Sequence, residues 1–181
     1  MIKKSILTAI ISILLSSYPL MAQVTLIPMD ETQTDHLKAY GIAYQALKMG
    51  QNVEWLLNYR GGSFVFDTNE ELKSLCLIRG VYFEEISSAD LADIYRTIDA
   101  ENMERVLLEK APAIAIYTPS NVEPWDDAVT LALTYAEIEY DMVWDEDVLS
   151  GALEDYDWIH LHHEDFTGQY GKFYGSFHDQ L

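Results

Sequence analysis

AIAIYTPSNVEPWDDAVTLALTYAEIEYDMVW, residues Ala113–Trp144, is the stretch whose reading decides the fold class. It opens on an uncharged apolar run, AIAIY, short enough for a buried strand. Pro124 then suits a first helical turn, and Asp126 and Asp127 suit the positive end of a helix. Trp125, Ala128, Val129, Ala132, Leu133 and Ala136 follow at i, i+3, i+4, i+7, i+8 and i+11, one apolar stripe of a helix. Tyr140–Trp144 reads as the next strand. A strand, a helix and a second strand in so short a span are the unit of a parallel sheet.

The same alternation extends in both directions. Strands are expected at 24–28, 53–58, 82–86, 113–118, 140–144 and 157–162, and the helix at 124–136 is expected to bury Trp125, Val129, Ala132 and Leu133. Thr32 and Asp35, Thr68 and Glu71, and Ser87 and Asp90 each stand at capping-box spacing ahead of an apolar periodic run. Gly50 and Gly80 supply stops for two of those helices. Tyr59–Ser63 reads as a glycine-rich loop, and Met103, Val106 and Leu107 as a short helical piece. Pro28–Val53 and Ala115–Tyr140 span equal intervals, each with one helix between two strands, as a regular βαβ build would give. The expected class is α/β: an open, mostly parallel sheet with helices on both faces, flavodoxin-like or amidotransferase-like, in a single domain over residues 23–181.

The first 22 residues read as a secretory signal peptide. Lys3 and Lys4 precede an uncharged apolar run at residues 5–18, and Leu20 and Ala22 fit a cleavage site before Gln23. That run falls short of the ~20 apolar residues a membrane-spanning helix needs, so no span is expected after cleavage. The expected location is periplasmic or secreted. The chain carries a formal charge of −19; losing residues 1–22 removes two lysines and no acid, which takes the remainder to −21. Such a surface repels phosphate backbones and anionic membranes, which argues against nucleic acid as a partner. A small molecule or another protein remains as the expected partner. The one cysteine, Cys76, cannot form an internal disulfide, and it falls beside Leu72 and Leu75 on an apolar helix stripe, where thiols serve as packing atoms.

Three stretches carry a resemblance: Leu26–Phe64, Pro124–Asp141 (PWDDAVTLALTYAEIEYD) and Tyr156–Phe173 (YDWIHLHHEDFTGQYGKF). Together they resemble a family of exported bacterial proteins that carries the automatic label "asparagine synthetase B". Members of that family continue past the position of Leu181, so the resemblance implies a chain truncated at its C-terminus. The activity in the label cannot be transferred to these residues. Asparagine synthetase B enzymes use an N-terminal Cys as glutaminase nucleophile, whereas residue 2 is Ile and the processed terminus is Gln23. Their Ser-Gly-Gly-x-Asp-Ser pyrophosphate loop has its nearest counterpart in Gly61-Gly62-Ser63, which lacks the Asp and the second Ser. The order of elements from Ile114 to His163 is loosely similar to the start of class I glutamine-amidotransferase-like domains. That fold places its nucleophilic Cys on a later elbow, and no Cys follows Cys76.

The densest group of ligand-type side chains is His160, His162, His163, Glu164 and Asp165. On a strand His160 and His162 share a side, and ligands of open parallel sheets bind beyond the carboxyl ends of strands. His160, His162 and Glu164 are therefore candidate ligands of a divalent metal such as zinc, able to activate water for hydrolysis. The alternative is that His160 is a satisfied core residue ahead of a solvated turn. Asp30, Arg60, Gly61, Gly62 and Asp145 are expected at the same sheet edge as ligand-binding residues, with the glycines turning backbone N–H groups toward an anion. Two readings of function stay open: a non-catalytic domain that binds a ligand or partner, and a metal-dependent hydrolase built on the histidines.

Overall fold

The computed structural model describes residues 23–118 and 127–161. Its first part runs β1 (Gln23–Ile27), α1 (His36–Lys48), β2 (Val53–Leu57), β3 (Ser63–Asp67), α2 (Glu70–Arg79), β4 (Glu84–Ser87), α3 (Ser88–Ala100) and β5 (Glu104–Leu108). The five strands form one sheet in the order β4-β1-β3-β2-β5, and every neighbouring pair is antiparallel. The segment from β1 to β4 thus has the split βαβ, or ferredoxin-like, connectivity.

This corrects the expectation of an open, mostly parallel, flavodoxin-like sheet. Two strands absent from that expectation cause the difference. Tyr59–Ser63 is not an open loop but the turn of a hairpin. Asn58 (φ 65°), Arg60 (φ 44°) and Gly62 (φ 97°) all take left-handed backbone there and reverse the chain directly into β3. Gly61 (φ 81°) is required for a further reason: a Cβ on it would stand 2.2 Å from the Met29 carbonyl oxygen. β3 then pairs with both β2 and β1, so it separates two strands that a direct βαβ crossover would have set side by side. The second missing strand is β5. Met103, Val106 and Leu107 match a helical period, but three residues cannot distinguish it from a strand following the turn at Asn102 (φ 55°).

Alternation along the strands gives the main sheet two buried faces. Ile27, Val53, Phe64 and Phe66 point toward α1 and α2, which supply Ile42, Ala46, Leu72 and Cys76 to the same cluster. Val24, Leu26, Leu56 and Val65 point the other way and meet Ile94 and Ile98 of α3. The helix ends follow local chemistry. Asp35 accepts from Lys38 N, Asn69 from Glu71 N and Leu72 N, and Ser87 with Asp90 completes a capping box on α3. Asn69, not Thr68, is the cap of α2. Gly80 ends α2 in left-handed conformation. Where β1 leaves the sheet, the buried Gln33 side chain donates from Nε2 to the carbonyls of Pro28 (3.2 Å) and Tyr82 (3.1 Å). Its Oε1 accepts from Tyr82 N (3.1 Å), which ties that exit to the entry of β4.

The second part is β6 (Ile114–Tyr117), α4 (Ala128–Ala136), β7 (Asp141–Val143), α5 (Asp145–Ser150), a 3-10 turn (Ala152–Asp155) and β8 (Trp158–Leu161). Here the pairing is parallel, in the order β7-β6-β8. The expected helix begins at Ala128, capped by Asp127 rather than led in by Pro124. It buries Thr130, Leu133 and Ala136; Val129 and Ala132 are half-buried, and Trp125 lies outside the described residues. Ile114, Ile116 and Leu133 form the core of this smaller unit.

The two sheets meet where α1 packs on α4. A Cβ on Gly41 would stand 2.0 Å from the Ala136 carbonyl oxygen, so the helices approach as closely as glycine permits. Glu137, the left-handed cap of α4, receives Lys38 at 3.1 Å and Arg79, and Gln45 Nε2 donates to its carbonyl at 3.1 Å. The lysine contact leads in holding the Glu137 carboxyl below its ordinary range, against an opposing effect of burial. Tyr135 Oη donates to Asp35 (2.6 Å), and Lys48 pairs with Glu139 (2.5 Å). Among the described residues, no helix is long and apolar enough to cross a membrane.

Candidate functional site

The residues expected along one sheet edge divide between the two sheets. Asp30, Arg60, Gly61 and Gly62 do gather, because β1 and β2 both run antiparallel to β3 and so end on the same side. Each of the three guanidinium nitrogens of Arg60 has a partner there. Its Nε donates to Asp30 Oδ2 (2.6 Å), one terminal nitrogen to Glu84 (2.8 Å) and the other to Thr32 Oγ1 (3.3 Å). Asp30 Oδ1 also accepts from the Thr32 hydroxyl (2.5 Å) and backbone N–H (3.0 Å). The Arg60 guanidinium first, and Thr32 second, hold the Asp30 carboxyl down at about 2, against the effect of burial. The bond to Asp30 first, and that to Glu84, raise Arg60 further above its ordinary range against the effect of burial. Of the two glycine N–H groups expected to face an anion, that of Gly62 donates to Tyr59 O (3.0 Å), and Gly61 lies close against the Met29 carbonyl. With its guanidinium spent on Asp30, Glu84 and Thr32, this cluster acts as a staple across the ends of β1, β2 and β4.

The carboxyl edge of the parallel sheet is built differently. From β6 the chain passes through α4 to β7 on one side, then returns to β8 on the other, which makes the end of β6 a topological switch point. Ligands of such sheets bind there. His160 on β8 stands opposite Ile116 of β6, and its Nε2 lies 3.1 Å from Asp127 Oδ1. The same oxygen accepts from Val129 N (2.7 Å) and Thr130 N (3.1 Å), so Asp127 joins the start of α4 to β8. Burial pushes the Asp127 carboxyl up. The Thr130 N–H, the His160 ring and the Val129 N–H outweigh it, and the net position is below the ordinary range. An ionised carboxylate only accepts, so Nε2 carries the hydrogen; in the neutral ring Nδ1 is then the acceptor.

Other polar groups stand at this edge. Thr118, the residue after β6, is 1 % exposed, and its hydroxyl has no hydrogen-bond partner among the described residues. On the β7 side the Tyr117 hydroxyl donates to Asp145 Oδ1 (2.5 Å), and the Tyr117 ring stacks on Trp144 with centroids 4.8 Å apart. Asp145 therefore shares an edge with His160 and belongs to a different sheet from Asp30, Arg60, Gly61 and Gly62. His162 and Glu164 lie outside the described residues. Among those described, no three His, Cys, Asp or Glu side chains converge as a metal-holding group.

In the sequence Asp127 reads only as a helix start, and its bond to His160 goes unseen. An acid that caps a helix immediately after a parallel strand stands at that strand's carboxyl edge, and this was the available signal. Also missed was a cavity of about 460 Å³ between α1 and the β2–β5 side of the main sheet, lined by Tyr40, Tyr44, Trp55, Phe64, Leu108 and Pro112. Cys76 is fully buried, and burial pushes its thiol up to about 11, which sets it apart from thiolate chemistry. No protein-family model, curated protein or solved structure matches the chain.

Proposed function

We propose that this chain is an exported, non-catalytic binding protein whose ligand seat is the carboxyl edge of the β7-β6-β8 sheet. The observation that carries the reading is the Thr118 hydroxyl, sealed from solvent at the switch point without a hydrogen-bond partner among the described residues. A buried polar group left unpaired costs about 1–3 kcal/mol. A small polar ligand that hydrogen-bonds it would recover that cost. The His160–Asp127 pair supplies an oriented ring nitrogen at the same sheet edge, and Tyr117, Trp144 and Asp145 supply a stacked and charged group on its β7 side. The signal-like N-terminus and the resemblance to an exported family support export; intact-mass analysis of secreted or periplasmic material tests it, and cytosolic full-length precursor would refute it. Asparagine formation from aspartate is not expected, since neither the nucleophile nor the adenylation loop of those enzymes has a counterpart.

The second reading is a hydrolase with a zinc ion held by His160, His162 and Glu164. A carboxylate hydrogen-bonded to one imidazole nitrogen orients the other, as in many metal sites. One experiment separates the two. The purified protein is screened by thermal shift against amino acids, sugars and small carboxylic acids, and titrated with zinc chloride by calorimetry. The parallel samples are Thr118→Val and the double variant His160→Ala/His162→Ala. A polar-ligand response lost in Thr118→Val supports the binding reading. Zinc binding abolished only in the double variant favours the metal site, and no response to any probe refutes both.

A further inference from the structure

The main sheet ends on β5, and among the described residues no strand pairs with its outer edge. An open edge presents unpaired N–H and C=O groups, and natural proteins usually blunt it with charge, proline or a covering element. Here the strand carries exposed apolar side chains beside its two charges: Val106 is 37 % and Leu107 52 % exposed. Its charges follow an order of their own. Residues 104–110 read Glu-Arg-Val-Leu-Leu-Glu-Lys.

We infer that β5 is a homodimerisation edge, pairing antiparallel with β5 of a second copy about a two-fold axis through Leu107. With Glu109 and Lys110, which follow β5, drawn into the ladder, Glu104 faces Lys110, Arg105 faces Glu109, Val106 faces Leu108 and Leu107 faces itself. A two-fold interface demands such self-complementarity, since each contact occurs twice with the roles exchanged. Shifting the axis by half a residue toward Val106 sets Glu104 against Glu109, and a full residue leaves both charged residues of β5 facing leucines. One register alone satisfies both ion pairs, and opposite charges directly across an antiparallel pair stabilise it.

The surrounding structure suits this arrangement. The chain is strongly acidic, so two copies repel over most approaches, yet this short stretch is charge-balanced and holds two of the eleven Lys and Arg residues. The Arg105 guanidinium is already laid over the Tyr95 ring, 4.0 Å from its centroid, which holds the head of one cation in place. Lys110 reaches Asp157 at 2.9 Å, but both side chains are largely exposed, so that pair is weak and its lysine can turn. Joining two β5 edges continues the sheet from one copy into the next, and it covers Val106 and Leu107 as it does so.

Sedimentation velocity on the purified full chain tests the inference over about a hundredfold range of concentration, since association follows mass action. The wild type is expected to pass from monomer to dimer. Glu104→Lys or Lys110→Glu alone sets like charges opposite each other twice and should weaken the dimer by about tenfold or more. The exchange Glu104→Lys/Lys110→Glu restores complementarity and should restore the dimer. Leu107→Pro, with folding verified by circular dichroism, should abolish it, because proline blocks strand addition. A chain monomeric throughout, a dimer indifferent to the single reversals or to Leu107→Pro, or an exchange variant that fails to recover would each overturn the inference.

Discussion

Two units in this protein run strand, helix, strand over similar lengths of chain, β1-α1-β2 and β6-α4-β7, and they fold into different sheets. In the second, the two strands lie side by side and parallel. In the first they are held apart by β3, which runs antiparallel to both. The helices differ in step: α1 buries seven of its residues and α4 three. The cause lies beyond either unit. After β2 the chain turns back within the Asn58–Gly62 segment, whereas after β7 it enters α5. A βαβ pattern therefore determines the direction of its strands but not their adjacency. The segment beyond the second strand decides whether another is inserted between them.

If the first unit owes its place to a two-sided core and the second to a one-sided one, equal truncations should cost unequal amounts. Leu56 is fully buried between the main sheet and α3, and Leu133 is 8 % exposed on α4. Leu56→Ala is expected to cost about 4 kcal/mol and Leu133→Ala about 2 kcal/mol, the upper and lower parts of the usual range for such cavities. Urea unfolding followed by circular dichroism measures both, and equal losses would erase the distinction.

The seam between the units is probed by Gly41→Ala. The added methyl has no room against the Ala136 carbonyl, and overpacking of this kind costs about 2 kcal/mol. Because the clash is at the α1–α4 contact, fluorescence and circular dichroism should record a looser second unit before the main sheet melts. Coincident transitions at wild-type stability would mean that the helices separate without cost.

The smallest effect expected concerns charge. Asp30 in the folded chain titrates at about 2, below its ordinary 3.8. A carboxyl depressed in this way adds stability that is complete above the ordinary value and is lost as pH falls through the folded one. The Asp30–Arg60 staple should therefore weaken between about pH 4 and 2, by about 1 kcal/mol given its partial exposure. Asp30→Asn should be less stable at neutral pH and should lack that acid limb in a pH series of thermal melts. An unchanged limb would assign the effect to other carboxylates.

Much of this structure could be read from residues, and the limits of that reading have physical causes. The strands expected at 53–58, 113–118, 140–144 and 157–162 exist in shortened form, those at 24–28 and 82–86 exist shifted along the chain, and the capping box at Ser87 and Asp90 is present. Apolar runs and caps report on their own few residues, so they survive translation into structure. β3 is hidden because Ser63–Asp67 directly follows two glycines, and a hairpin turn built from Asn58, Arg60 and Gly62 has no common two-residue signature. Pairing direction depends on such turns, so with β3 and β5 hidden the main sheet reads as mostly parallel although β1, β2 and β4 are placed. The site followed the same rule. Asp30 and Arg60 do meet, as two parallel strand ends require, but Asp145 and His160 went to the other sheet once β3 had split the order. Asp127 was recognised as a helix start, while its bond to His160 crosses from one element to another and leaves no trace in spacing.

Gln33 shows how narrowly a single position can be specified. Its amide satisfies two carbonyls and one N–H at the mouth of β1 and β4, doing with one side chain what a further pair of strand residues would do with backbone. Asparagine offers the same groups on a stem one methylene shorter. Glutamate has the reach but, when ionised, nothing to donate, and it would aim an anion at two carbonyl oxygens. Methionine matches the volume and abandons every bond, at about 1–3 kcal/mol for each buried group left unpaired. Glutamine is thus the one encoded side chain with the length, the donors and the acceptor this junction requires, and a mutational scan should find position 33 intolerant although it lies in neither helix nor strand.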